Sequence, residues 1–217
     1  MNQGNFVRNG LVWGVDVGSS ASYSGSGTTI TDVVGSLNMT LSGTYTYSAT
    51  PPRLSFNTSQ GGSTTNAAAL QINSGTIIVW ARPSSVNSGF RGLLTKENAY
   101  GIFLYDNKLA IYDWGNAALR DTGITVGNGT WQMFSLTFSA IGTGTPSNNA
   151  MLYRNGVLVM TTTLRLNTQA TTGVWLASNK GTQGFVGDVS SAYIYNTILT
   201  QPELLAHYNA TKSRFSL

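Results

Sequence analysis

The chain has 217 residues, no cysteine and a single histidine, His207, so disulfide staples, thiolate metal sites and a histidine metal cluster built from one copy are excluded. Its formal charge of +4 rests on twelve scattered Lys and Arg residues with no basic run, which argues against nucleic-acid binding. No apolar run approaches the ~20 residues of a membrane span, and the opening MNQGNFVRNG lacks an apolar signal core, so neither membrane insertion nor a secretory leader is expected.

Only 9% of residues are charged, and Gly, Ser, Thr and Asn are abundant, the composition of a turn-rich all-β protein. Residues 1–10 are polar and read as an N-terminal arm. Residues 11–217 read as one domain, long enough to bury its own core without staples. Leu11–Val17 is a first strand, followed by the loop GSSASYSGSGTT. Ile30–Val34, Leu37–Leu41 and Thr44–Tyr47 are short β-prone pieces, the last closed by Pro51 and Pro52. Leu54 and Phe56 mark another strand. Leu70 and Ile72 lead into Thr76–Arg82, which places Ile77, Val79 and Ala81 on one face and Ile78, Trp80 and Arg82 on the other. Pro83 ends it.

Leu93–Lys96 and Tyr100–Trp114 follow. Asp106-Asn107 predicts a two-residue turn that pairs Leu104 with Leu109 and Ile102 with Ile111. The opposite face then carries Phe103, Tyr105, Lys108, Ala110, Tyr112 and Trp114, a free face that is aromatic where charge is usual. Trp131–Met160 reads as the organising hairpin. Phe134, Leu136 and Phe138 alternate, and Asn155-Gly156 supplies the two positive-φ positions of a tight turn. That turn predicts Tyr153 opposite Leu158 and Met151 opposite Met160, all buried on one side. Val174–Ser178 and Phe185–Tyr195 are the last strands. Thr200-Gln201-Pro202-Glu203 followed by LLAHY is a capping-box helix start, and about two turns of helix are expected.

The succession TIIVWARPSS, GLLTKENAYGIFL, KLAIYDWG, GTWQMFSLTF, MLYRNGVLV and GDVSSAYIYNTILTQPELLAHYNATK resembles the laminin-G-like, concanavalin-A-like jelly rolls. Leu11–Asp16 and the Tyr23–Asp32 loop are similar to the versions carried by phage and viral structural proteins. The resemblance implies a two-sheet antiparallel jelly-roll sandwich with one short C-terminal helix. It also implies that ligands are often held on the concave face or at rim loops. Members of the family variously bind glycans, bind Ca²⁺, hydrolyse glucans or only build particles.

The aromatic set Phe103, Tyr105, Tyr112 and Trp114, with Trp80 and Arg82, is the candidate glycan-binding face, because sugar C–H faces stack on rings while polar groups fix hydroxyls. The same rings would equally serve as packing under Gly18–Thr29 or as a subunit contact. Hydrolysis by the retaining route needs two carboxylates about 5 Å apart. The chain has only Glu97 and Glu203, far apart and the second placed as a cap, and no Asp pair takes their part, so no catalytic residues are assigned. Asp16, Asp32 and Asp188 sit at strand ends where Ca²⁺ sites occur in the family, but each reads first as a turn cap, so no metal or other cofactor is assigned.

The expectation that follows is a non-enzymatic virion surface protein: a capsid decoration, head fibre or tail-associated protein. It would be made in the host cytoplasm, homo-oligomeric, in contact with other virion proteins, and able to bind host or environmental glycans. The alternative is a free-standing carbohydrate-binding module or lectin acting outside the cell.

Overall fold

A computed structural model describes residues 7–57, 61–139, 147–167 and 172–217. The strands in chain order are β1 (Leu11–Asp16), β2 (Thr29–Ile30), β3 (Met39–Leu41), β4 (Tyr45–Ala49), β5 (Pro52–Asn57), β6 (Gly62–Ser63), β7 (Ser74–Pro83) and β8 (Phe90–Lys96). They continue with β9 (Tyr100–Tyr105), β10 (Lys108–Asp113), β11 (Ala118–Thr125), β12 (Gln132–Ser139), β13 (Ala150–Arg154), β14 (Val157–Thr162), β15 (Trp175–Leu176) and β16 (Val186–Tyr195). The helix α1 (Gln201–Thr211) closes the chain.

These strands form two antiparallel sheets of eight, the jelly-roll sandwich expected from the sequence. The first sheet runs β14-β13-β12-β7-β16-β5-β4, and the second β11-β10-β9-β8-β15-β6-β3-β2. The ten-residue β16 organises the first sheet. It pairs with β7 on one side, and on the other with β5 through its first half and β1 through its second. Ile77, Val79 and Ala81 of β7, Phe134, Leu136 and Phe138 of β12, and Ile102, Leu104, Leu109 and Ile111 of β9 and β10 meet between the sheets. The expected alternation on β7 and the Leu104–Leu109 pairing both hold, and Asp106 and Asn107 take the positive φ of a two-residue turn.

Other expectations are corrected. Asn155-Gly156 does make the β13–β14 turn, with both residues at positive φ, and Tyr153 does oppose Leu158. A bulge at Val159 then shifts the register, so Met160 opposes Leu152 and Met151 opposes Thr161. Leu152 and Ala150 face the inter-sheet core, whereas Tyr153 packs on the outer face and Met151 and Leu158 are exposed. The strand β11 was not anticipated. It is an edge strand whose Arg120, Asp121 and left-handed Gly123 hide any hydrophobic alternation. The expected N-terminal arm lies outside the described residues up to residue 6. Val7–Gly10 is seated on the sheet, where the Val7 carbonyl accepts the Tyr195 hydroxyl at 2.9 Å and the Gly10 carbonyl accepts the Asn196 N–H at 2.8 Å.

The helix is 11 residues long, a turn more than expected. Its start follows the sequence signal: the Glu203 carboxylate accepts both the N–H and the hydroxyl of Thr200 at 2.7 Å, and the backbone donor holds that carboxyl below the usual range. The extra turn exists because Leu204, His207 and Thr211 seal an apolar outer face formed by Ile78, Trp80, Met133, Tyr193 and Tyr195. Phe215, just past the helix, stacks on Trp131 at 4.3 Å and leans on Trp80 at 4.5 Å.

His207 is 0% exposed and meets Tyr193 edge-on at 5.3 Å. Burial, helped by the nearby Arg214, lowers its pKa from 6.5 to about 4. Below pH 6.5 the unfolded chain therefore takes up a proton that the folded chain refuses, and stability falls as the pH drops from 6.5 towards 4. We expect this residue to account for about 3 kcal/mol across that window at most. Urea titrations at several pH values check this: His207→Gln should flatten the slope relative to the native chain, and an unchanged slope would refute the assignment.

Candidate functional site

The second sheet presents its outer face through β8, β9 and β10. On β9 and β10 the residues alternating with the core set are Phe103, Tyr105, Ala110 and Tyr112, as the sequence indicated, and Trp114 begins a single 3₁₀ turn directly after β10. To these the fold adds Phe90, which opens β8 opposite Tyr105. Phe90 meets Tyr105 at 4.8 Å, Tyr112 at 5.6 Å and Phe103 at 6.1 Å, each edge-on. Tyr112 in turn meets Trp114 at 4.8 Å, and Trp114 meets Phe103 at 6.1 Å. Edge-to-face packing of this kind fixes the ring orientations and leaves a corrugated apolar floor.

A tight turn after β15 supplies the rim. Lys180 and Gly181 take left-handed φ, and Asn179 and Thr182 exchange backbone hydrogen bonds at 2.9 Å. The Asn179 amide donates to Gln183 Oε1 at 3.0 Å, Lys180 Nζ lies 2.9 Å from Glu97, and Arg91 donates to the Gly184 carbonyl at 3.3 Å. The result is a cleft of about 230 Å³ lined by Phe90, Phe103, Tyr112 and Trp114, with Glu97, Asn179 and Gln183 at its edge. The Trp114 indole N–H and the Asn179 side-chain amide oxygen are enclosed and meet no hydrogen-bond partner among the described residues. One donor and one acceptor thus lie unpaired and enclosed beside the edge-packed rings.

Trp80 and Arg82 do not join this floor. They lie on the outer face of the first sheet, on the far side of the sandwich. Alternation along β7 separates its two faces but does not say which sheet holds the strand. Trp80 is 1% exposed; its indole N–H donates to Thr211 Oγ1 at 3.0 Å and its ring stacks on Tyr208 at 5.6 Å. Arg82 donates from Nε to Asp188 at 2.5 Å and lies 5.7 Å from the Trp131 ring. Tyr105 meets Phe90 at the end of the floor, beyond the cleft lining. Phe90 escaped the sequence reading because the strand was begun at Leu93, three residues late. Asn179 and Gln183 carry a weak signal, the turn-forming Asn-Lys-Gly.

The acidic residues considered as Ca²⁺ ligands are engaged within the fold. Asp16 accepts the Gly18 N–H at 2.9 Å and two contacts from Arg214, at 2.8 and 2.9 Å. Asp32 accepts the N–H groups of Gly14 and Val34 at 3.1 and 3.0 Å. Asp188 is paired with Arg82 and accepts the Ser55 hydroxyl at 2.5 Å. Asp113 is fully buried and takes the Arg165 guanidinium at 2.6 Å and that of Arg120 at 3.3 Å. Among the described residues no cluster of three His, Cys, Asp or Glu side chains is placed to share a metal ion.

The family model Laminin_G_3, described as the concanavalin A-like lectin/glucanases superfamily, matches residues 56–205. The chain belongs to this superfamily. A search of curated proteins returned no significant match. Among solved structures, the binding domain of Paraclostridial Mosquitocidal Protein 1 superposes with a TM-score of 0.68 at 16% identity, over 93% of this chain and 52% of that one. Trypanosoma rangeli sialidase in complex with sialic acid gives 0.70 at 14% identity, over 96% and 34%. The botulinum neurotoxin serotype D binding domain gives 0.65 at 12% identity, over 93% and 52%. The chain thus spans about half of the toxin binding domains and about a third of the sialidase, and these likenesses concern the fold of this lectin-like jelly roll.

The two tryptophans once grouped together should separate experimentally. Trp80→Ala removes a ring sealed beneath α1 and is expected to cost about 3–5 kcal/mol. Trp114→Ala removes a half-buried ring at an open cleft and should cost about 1 kcal/mol. Chemical denaturation checks both, and equal costs would contradict the placement.

Proposed function

We propose that this chain is a non-enzymatic glycan-binding domain whose contact surface is the aromatic cleft on the outer face of the second sheet. The observation that carries the reading is the combination of four edge-packed rings with the polar side chains of Glu97, Asn179 and Gln183 lining one cleft. A sugar ring stacks its C–H face on such a floor while its hydroxyls meet the polar rim of Glu97, Asn179 and Gln183. Membership of a superfamily of lectins and glucanases supports a saccharide ligand. Between lectin and glucanase the cleft favours the first. Its one lining carboxylate, Glu97, is tied to Lys180 at 2.9 Å, and hydrolysis by two carboxylates needs a partner for it.

The setting we propose is the surface of a virus particle, as a capsid decoration, head fibre or tail-associated protein repeated by the particle's symmetry. This rests on the resemblance of Leu11–Asp16 and the Tyr23–Asp32 loop to particle proteins. It predicts that antibodies against the domain label the outside of intact particles.

A glycan array tests the binding reading. The native chain should retain a defined subset of glycans, and Tyr112→Ala/Trp114→Ala should lose at least about tenfold in affinity while staying folded, the loss expected when a stacked ring is removed. Retention of the same glycans by the folded double variant would move the site elsewhere. Absence of any binding by the native chain would refute the reading.

A further inference from the structure

One edge of the first sheet is bare. The edge strand β14 reads Val157-Leu158-Val159-Met160-Thr161-Thr162, with no charge, proline or glycine. It pairs with β13, and among the described residues none of its backbone groups meets a partner outside that hairpin. An unpaired edge templates pairing with another chain, so soluble proteins blunt their edges with charge, proline or a covering loop, or keep them very short. The other edges here are treated in that way. The strand β11, which lies beside β14 on the second sheet, carries Arg120, Asp121 and a left-handed Gly123. The strand β4 runs into Pro51 and Pro52, and its Tyr45 hydroxyl donates to the Gly27 carbonyl of the neighbouring loop at 3.0 Å. The strand β2 has two residues. On β14 the bulge at Val159 interrupts the ladder but adds no charge.

Apolar side chains border this bare edge. Val157 and Leu158 of β14, Met151 of β13 and Leu205 of α1 are all exposed, Val157 by 56%. Leu158 stands opposite Tyr153, whose hydroxyl lies 3.3 Å from the Met151 sulfur. The turn at Gly156 abuts Leu205. The strip therefore runs from the helix over the hairpin turn and along the edge.

We propose that two copies of this chain pair along β14, antiparallel across a two-fold axis, and so join their first sheets edge to edge. A second copy is the occupant that fits. The strand has no charge to be repelled by its own copy, and its Val, Leu, Met and Thr residues are acceptable strand partners. A two-fold axis also closes the pair, so no bare edge is left to recruit a third copy. Pairing of a strand this short, with its flanking apolar side chains, buries on the order of 1,000 Å² in total, the low end for a specific interface. The expected dissociation constant is therefore roughly micromolar. Both aromatic clefts stay open in such a dimer, because they lie on the outer face of the other sheet. The pairing needs no glycan, so it stands or fails separately from the binding reading.

Sedimentation velocity of the full chain, without glycan, from roughly 1 to 100 μM tests it by bracketing that constant. A reversible monomer–dimer equilibrium is expected. Leu158→Lys and Thr161→Lys, which put charge on the edge, should each weaken it at least about tenfold. Val33→Lys, on the exposed Asp32 turn away from this edge, should leave it unchanged. Melting curves confirm that each variant is folded. Hydrogen exchange adds a readout of the backbone: β14 amides should exchange slowly in the dimer and faster on dilution. A monomer throughout the range, assembly beyond the dimer, a dimer indifferent to both folded edge variants or equally weakened by Val33→Lys, or β14 amides that exchange at one rate in monomer and dimer would overturn the proposal.

Discussion

The outer face of the first sheet is apolar at Ile78, Trp80, Met133, Tyr193 and Tyr195, and it has to be covered. A sandwich buries one face of each sheet and leaves the other two to be dealt with separately. Here the C-terminal helix, Phe215 and Val7 cover the first sheet and create a second apolar core outside the sandwich. Among the described residues the second sheet receives no such helix. Its aromatic outer face is only rimmed, by the turn carrying Asn179 and Gln183. This inequality gives the molecule one sealed aromatic face and one open one, and the proposed function rests on the open one.

Charge is used sparingly and locally. The buried or nearly buried Asp16, Asp113 and Asp188 each hold arginine: Arg214 for the first, Arg120 and Arg165 for the second, Arg53 and Arg82 for the third. Removing either partner would strand a charge in a poorly solvated place, so these clusters fix strand ends and loop departures. They also occupy the carboxylate oxygens that a calcium ion would need. The cluster at Asp188 differs in opening onto a cleft, whereas at Asp113 the carboxylate is fully enclosed.

Much of this was legible from residue patterns. Strict alternation gave the two faces of β7, β9 and β10. Asn155-Gly156 and Asp106-Asn107 gave their turns, and Thr200 with Glu203 gave the helix start, because each signal is local and needs only backbone geometry. What escaped depended on long-range pairing. Alternation puts Trp80 and Trp114 each on an outer face but not on the same one, since the sheet to which a strand belongs is decided by partners over a hundred residues away, such as β16 beside β7. The bulge at Val159 left no mark in an apolar run where every residue is acceptable on either face. Arg120 and Asp121 disguised β11 because an edge strand is free to be polar. Three of the seven residues lining the candidate cleft, the rings of Phe103, Tyr112 and Trp114, were visible in this way, while its polar rim was assembled by tertiary contact.

The central claim is that saccharide meets the open aromatic face and not the sealed one. The chain's five tryptophans each carry one indole N–H, which makes them separate reporters in a ¹⁵N-edited NMR spectrum. Titration with a glycan that the chain binds should shift the Trp114 indole signal strongly and leave that of Trp80, hydrogen-bonded to Thr211 beneath the helix, where it was. A bound saccharide that moved Trp80 and left Trp114 undisturbed would contradict the account.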